Sequence, residues 1–295
     1  MACSQEHEEP VTRFDEILFP VDLSVQCVQM TPYVAAIAQK FNGKLTLLHV
    51  IDASDPFGYG ALSSTRNYGT DAAELQQDEN EMTQFAESAF SGLSVNRVLE
   101  FGKPGPEIIR YASQHNTDLV LMPTHRYGGF KLLLLGSVTN TVLHEAHCPV
   151  WTATHTEQFC GSCSQNIAQI VCGIDLSPSS TALVRISCEL GNQYGATVRL
   201  VHAVASDLLA DDAPFQRLLL DTAEQKLAEL QVAAQTHLES YVWPGSTAEV
   251  MREAALQAGA QLMIVGRGHA RSSLGGLRSD LQTIIRESPC PVLSI

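Results

Sequence analysis

The stretch Ile17-Leu-Phe-Pro-Val-Asp-Leu-Ser24 returns 153 residues later as Ile170-Val-Cys-Gly-Ile-Asp-Leu-Ser177. Leu45-Thr-Leu-Leu-His-Val50 returns at the same spacing as Val198-Arg-Leu-Val-His-Ala203, which aligns His49 with His202. Further on, Asp118-Leu-Val-Leu-Met122 matches Gln261-Leu-Met-Ile-Val265 at a spacing of 143, and Cys148-Pro-Val150 matches Cys290-Pro-Val292 at 142. The shared elements keep their order while insertions separate them, as a duplicated domain requires. Each copy, at about 140 residues, has the size of a common single domain, so two cores are expected. The boundaries read as 11–153 for the first domain, 154–167 for a linker and 168–295 for the second.

Within a copy, short apolar runs alternate with helical periodicity. Ile17 to Val21 is a bounded apolar run, as a strand buried on both faces should be. In the helix that follows, Val34, Ile37, Ala38 and Phe41 form an i, i+3, i+4, i+7 stripe. Pro32 predicts a kink there, or a restart with Thr31 as N-cap. Asn42-Gly43 closes that helix before a second strand, Lys44 to Val50. A polar loop over 52–70, a charged helix over about 71–90, a third strand over about 95–101 and a helix opened by Pro104 and Pro106 come next. Leu119 to Met122 forms a fourth strand, and a helix from about Ser137 leads to a last strand at Val150-Trp151. The order β-α-β-α-β-α-β-α-β, twice over, predicts an α/β fold: two tandem doubly wound domains, each a five-stranded parallel sheet with helices on both faces. Ligands of such sheets sit beyond the carboxyl ends of the strands, where strand order reverses. That points to Asp22, Val50 and Pro123 in the first copy and to Asp175, Ala203 and Gly266 in the second.

Composition fits two compact domains, with 45% apolar and 17% charged residues. A net charge of −14 opposes non-specific binding to nucleic acid or anionic membranes, because the long-range field is repulsive. No apolar stretch approaches the roughly 20 residues of a transmembrane helix. The start, Met1-Ala-Cys-Ser-Gln-Glu-His-Glu-Glu-Pro10, has neither a basic nor an apolar leader region, so the expected location is the cytoplasm. The eight cysteines then read as thiols, with Cys27, Cys172 and Cys188 inside helices or strands as small apolar residues.

Asp118-Leu-Val-Leu-Met-Pro-Thr-His125, Leu132-Leu-Leu-Leu-Gly-Ser-Val138 and His147-Cys-Pro-Val150 together resemble the universal stress protein family. The likeness extends over both copies and includes the Val-Asp-Leu-Ser and Leu-His-Val segments. It implies a Rossmann-like sheet of the adenine nucleotide alpha-hydrolase kind, domains paired through their last strands, and a stress-related role. Some members bind ATP through a loop of the form G-x2-G-x9-G-S/T, and others lack the loop and do not.

Both loops depart from that form. The first reads Pro123-Thr-His-Arg126, nine residues, then Gly136-Ser137. Glycine is wanted where a phosphate approaches bare N–H groups, and Arg126 places a side chain there. The second keeps Gly266 and adds Gly268, but has His269 at the second glycine and Arg278-Ser279 where Gly-Ser should stand. The resemblance thus nominates Asp22, Val50, Thr124, Gly136 and Ser137 in the first copy. In the second it nominates Asp175, Gly266, Gly268 and Ser279. Any ATP or AMP is expected to bind weakly, with the first copy the better candidate. Asp22 and Asp175 read equally well as helix-capping aspartates. Arg267, His269, Arg271 and Arg278 form a basic loop able to neutralise phosphates, or simply a solvated one.

Other constellations carry less. Cys160-Gly-Ser-Cys163 in the linker has the spacing of a disulfide or of half a zinc site, which keeps a thiol or zinc sensor as an alternative. His144 and His147, three apart near a helix end, read as capping or solvent-facing. His49 and His202 read as buried, satisfied histidines. A nucleotide-using enzyme of the same superfamily is a further alternative, but the signatures H-x-G-H and S-G-G-x-D-S are missing. The expected partners are the chain itself, as an intramolecular pseudo-dimer through Val150-Trp151 and Val292-Ile295 and as a homodimer, and an adenine nucleotide.

Overall fold

A computed structural model describes residues 13–52, 72–85, 87–124, 135–153, 166–177, 179–205, 213–267 and 277–295. The first half runs β1 (Glu16–Pro20), α1 (Val25–Phe41), β2 (Lys44–Ile51), α2 (Ala72–Gln84), β3 (Val95–Phe101), α3 (Pro104–Gln114), β4 (Leu119–Pro123), α4 (Ser137–Glu145) and β5 (Val150–Ala153). The second half repeats this as β6 (Gln169–Gly173), α5 (Ser180–Tyr194), β7 (Thr197–Val204), α6 (Ala213–Ala234), β8 (Glu239–Pro244), α7 (Thr247–Ala258), β9 (Leu262–Val265), α8 (Leu277–Glu287) and β10 (Val292–Ser294). Within each half all strands pair in parallel. The charged helix α2 is shorter than the periodicity suggests and ends at Gln84. Helix α1 is continuous and starts on Ser24, whose Oγ accepts from the Cys27 N–H at 3.3 Å. Pro32 does not interrupt it. Proline cannot donate to the Val28 carbonyl four residues back, and the Thr31 hydroxyl donates to that carbonyl instead, at 2.8 Å.

The halves join into one ten-stranded sheet in the order β3-β2-β1-β4-β5-β10-β9-β6-β7-β8. Its centre is an antiparallel pairing of β5 with β10, with Trp151 opposite Leu293 and Val150 opposite Ser294. Two buried hydroxyls tie the seam: Thr152 Oγ1 donates to the Val292 carbonyl at 3.2 Å and Ser294 Oγ to the Val150 carbonyl at 3.1 Å. The expected two cores are therefore organised differently. One apolar layer lies on each face of the sheet, and each draws residues from both halves because the sheet runs on through the seam. Trp151, fully buried, donates its indole N–H to Tyr33 Oη at 3.1 Å. Beyond it, Phe41 of the first half meets Tyr194 of the second edge-on, 5.9 Å between centroids.

The strand entries are pinned in the same way twice. Asp118 Oδ2 accepts from the N–H groups of Asp15 (3.0 Å) and Glu16 (2.9 Å). Its counterpart Gln261 accepts through Oε1 from Ala168 (3.1 Å) and Gln169 (2.8 Å). The exits repeat as well. Leu23 and Leu176, each following the aspartate at the tip of the first strand of its half, adopt φ of 58° and 57°. A leucine in that left-handed region is strained and persists only where its surroundings over-determine it. Among the described residues no helix is long and apolar enough to cross a membrane.

Replacing Trp151 by alanine removes the largest side chain of the seam and leaves a cavity between the halves. Such a truncation costs roughly 3–5 kcal/mol, which urea unfolding should register as a lowered midpoint.

Candidate functional site

The carboxyl ends of β6, β7 and β9 converge on a cavity of about 390 Å³. Asp175, Ala203 and Gly266, three of the strand-end residues singled out by topology, all line it. It lies where strand order reverses between β6 and β9, because the connections to their outer neighbours leave in opposite directions there. Asp175 enters from the turn after β6. Its Oδ1 accepts the Ser177 N–H at 3.0 Å and the Ser180 hydroxyl at 2.6 Å. Burial pushes its carboxyl pKa up, but these hydrogen bonds outweigh burial and hold it below the ordinary value. Aspartate as a turn cap is thus a structural fact at this position. His202 sets Nδ1 2.7 Å from the Ile174 carbonyl.

The first half repeats the constellation with one exchange. Asp22 Oδ1 accepts from the Ser24 N–H at 2.9 Å and from the Cys27 thiol at 3.0 Å, so a thiol stands where the second half has the Ser180 hydroxyl. His49 Nδ1 lies 2.8 Å from the Val21 carbonyl. Both histidines are half-buried, not fully buried as their apolar neighbours suggest. Val50 is buried near the end of β2. Thr124 directs both its N–H (3.2 Å) and its hydroxyl (2.9 Å) to the Ala153 carbonyl, closing β4 onto β5. Gly136 is the N-cap of α4 and Ser137 its exposed first residue.

Arg267 is the residue whose role the sequence conceals. Read there as part of a phosphate-facing or solvated loop, it instead crosses the seam. Its guanidinium donates to the carbonyls of Ala146 at 2.6 Å and Cys148 at 2.7 Å, at the carboxyl end of α4. A cation there also complements the helix dipole. Burial lowers its pKa, an effect that Cys148 offsets only in part. Its peptide N–H is committed to the Ile295 carbonyl at 2.7 Å. Beside it, Gln282 of α8 donates to Asn140 Oδ1 and lies 3.1 Å from His144 Nε2, so the half-buried His144 meets the other half. A lone arginine after a glycine gives no sequence signal for this. The missing signal is the identity of the partner, two bare carbonyls in the opposite copy.

Gly268, His269, Arg271, Arg126, Cys160 and Cys163 lie outside the described residues. Ser279 falls in the first turn of α8. Burial raises the Cys148 thiol to about 11 and those of Cys172 and Cys290 to about 12, and Cys27 is also pushed up, by burial and then by Asp22. None of these four is poised as a thiolate at neutral pH.

The universal stress protein family model matches residues 13–153 and again 166–295. The chain belongs to that family. A universal stress protein of Mycobacterium tuberculosis is 26% identical over 292 residues, covering 94% of this chain and 95% of its own. The crystal structure of a universal stress protein from Archaeoglobus fulgidus covers 95% of this chain and 98% of its own, with 21% identity and a TM-score of 0.68. A universal stress protein solved in complex with cAMP covers 44% of this chain and 97% of its own, at 22% identity and a TM-score of 0.33. The match recurs in both halves, so this is a tandem member with the α/β fold expected of it.

Two outcomes follow. Arg267→Ala strips the charge-assisted donors from two carbonyls and should cost about 1.5–3 kcal/mol, measured by denaturant unfolding. Asp175, its pKa lowered by folding, contributes stability that is complete above its unfolded value of about 3.9. That contribution is lost as the pH falls through the lower folded value. In Asp175→Asn the acid-side decline of the melting temperature should therefore be shallower than in the unmodified protein.

Proposed function

We propose that this tandem universal stress protein is a binding and regulatory module of the cytoplasm, not a metabolic enzyme, with an adenine nucleotide as a weak ligand of its first half. The start of α4 carries this reading. Among the described residues a side chain built on Gly136 would meet nothing within 4 Å, which leaves room beside the first turn of the helix. The N–H groups that a helix start presents and the helix dipole together favour a phosphate there. Asp22 lies just beyond β1 and Val50 near the end of β2, at the carboxyl end of the sheet, where the family's ATP binders hold the nucleoside.

Weakness follows from the missing donors. Thr124 has both its donors on Ala153, and Pro123 and Arg126 replace the two glycines that would bare the loop backbone. A regulatory module also fits the described cysteines and histidines. Cys27, Cys148, Cys172 and Cys290 are buried, and each histidine of the two strand tips has a ring nitrogen against a carbonyl. A homodimer of the whole chain completes the proposal.

Calorimetric titration with ATP tests the loop. Arg126→Gly restores a bare backbone position, and one regained charge-assisted hydrogen bond corresponds to about tenfold in affinity. The dissociation constant should fall by about that factor. An unchanged or weaker isotherm, or tight binding in the unmodified protein, would sink this account.

A further inference from the structure

We propose that Arg267 of the second half is a positioning residue for helix α4 of the first, so that the phosphate seat of one half is held in place by the other. This rests on reading Gly136 and Ser137 as that seat and adds what keeps it where it is.

The halves share a backbone bond and differ in the side chain above it. The Thr124 N–H donates to the Ala153 carbonyl at 3.2 Å, and the Arg267 N–H, at the matching position, donates to the Ile295 carbonyl at 2.7 Å. The Thr124 hydroxyl then donates to the same Ala153 carbonyl, within its own half. The Arg267 guanidinium leaves its half for Ala146 and Cys148.

The helix ends show the complementary exchange. In the second half, Ser288 Oγ donates to the Cys290 carbonyl at 2.7 Å and accepts the Cys290 N–H at 3.3 Å, which closes the end of α8 from within. The matching residue of the first half is Ala146, which has no hydroxyl. The matching carbonyl, that of Cys148, takes its side-chain donor from Arg267. One helix end is thus served by its own serine and the other by an arginine from across the seam. The arginine bond is charge-assisted, and so the stronger kind.

A hold on one end of α4 reaches the other. The helix has nine residues, Ser137–Glu145, about 13 Å at 1.5 Å per residue. Backbone bonds tie its turns together, as from the Asn140 N–H to the Gly136 carbonyl at 2.9 Å, so it moves as a unit. Gly136 caps its start without a side chain. Gln282 of α8 grips its middle through Asn140, the residue it matches in the other half. A binding constellation has to be held to within about 0.5 Å by its supports. Rigid elements carry such constraints from one place to another.

The test uses the full chain with Arg267→Ala, alone and combined with Ala146→Ser. Amide hydrogen exchange compares Thr141 to Leu143 in α4 with the matching Thr283 to Ile285 in α8, and calorimetry measures ATP binding. Arg267→Ala should speed exchange in α4 by about tenfold, the equivalent of one lost charge-assisted hydrogen bond. It should leave α8 as it was and raise the ATP dissociation constant by about the same factor. Adding Ala146→Ser supplies the hydroxyl that Ser288 supplies in the other half, and should bring both readings back to within about twofold of the unmodified protein. An Arg267→Ala chain that unfolds earlier but keeps its α4 exchange and its ATP affinity overturns the proposal, because Arg267 is then only a brace of the seam. Equal acceleration in α4 and α8 overturns it too, as does a serine that restores neither reading. Where the unmodified protein binds no ATP, the nucleotide reading fails, and the exchange of α4 against α8 still decides whether Arg267 positions the helix. Should Arg267→Ala not fold, Arg267→Lys carries the same comparison, because an ammonium lacks the planar fork that spans two carbonyls.

Discussion

The antiparallel pairing of β5 with β10 is the constraint on which the rest depends. A five-stranded parallel sheet ends in a strand whose apolar side chains and open hydrogen bonds invite association. Here each half covers the other's exposed edge. The pairing buries Trp151 against Tyr33, merges the apolar layers on both faces, and brings the carboxyl end of α4 within reach of Arg267. The apolar layers of the two halves are continuous through the seam, so each half packs against the other as well as on itself.

Much of this was legible because repetition compares the chain with itself. The spacing between Ile17 and Ile170 located the halves, and alternating strands and helices left a parallel sheet as the consistent topology. The aspartates at the strand tips were visible for the same reason. Other features were hidden for identifiable causes. Leu23 and Leu176 take a backbone conformation that leucine does not advertise. Pro32 looked like a break because sequence cannot say that the Thr31 hydroxyl will serve the Val28 carbonyl. Arg267 looked like part of a basic loop, phosphate-facing or solvated, because carbonyl acceptors in the other copy carry no side-chain signature. The candidate site was legible as a location, the strand tips, and much less so as a chemistry, which depends on where each donor ends up.

Between the halves, the backbone scheme has been kept while the groups facing the strand tips have drifted. Asp22 accepts from a thiol and Asp175 from a hydroxyl, the stronger donor. Where the first half has Pro20 and Ile108, the second has Gly173 and Met251, which line its cavity. Thr124 closes its own half, whereas Arg267 braces the opposite one. Each exchange changes which donors, acceptors and volumes a ligand would meet, without disturbing the sheet beneath.

A two-fold dimer of identical subunits must complement itself, since any residue placed on one side of the axis appears on the other. Joining the copies in one chain lifts that requirement. An arginine can cross the axis in one direction while a threonine stays home in the other, and a buried cation need be accommodated only once. The pairing also becomes intramolecular, so its integrity no longer depends on protein concentration. The covalent link thus gives the seam freedom to be asymmetric, and with it the freedom for two equivalent strand tips to take up different work.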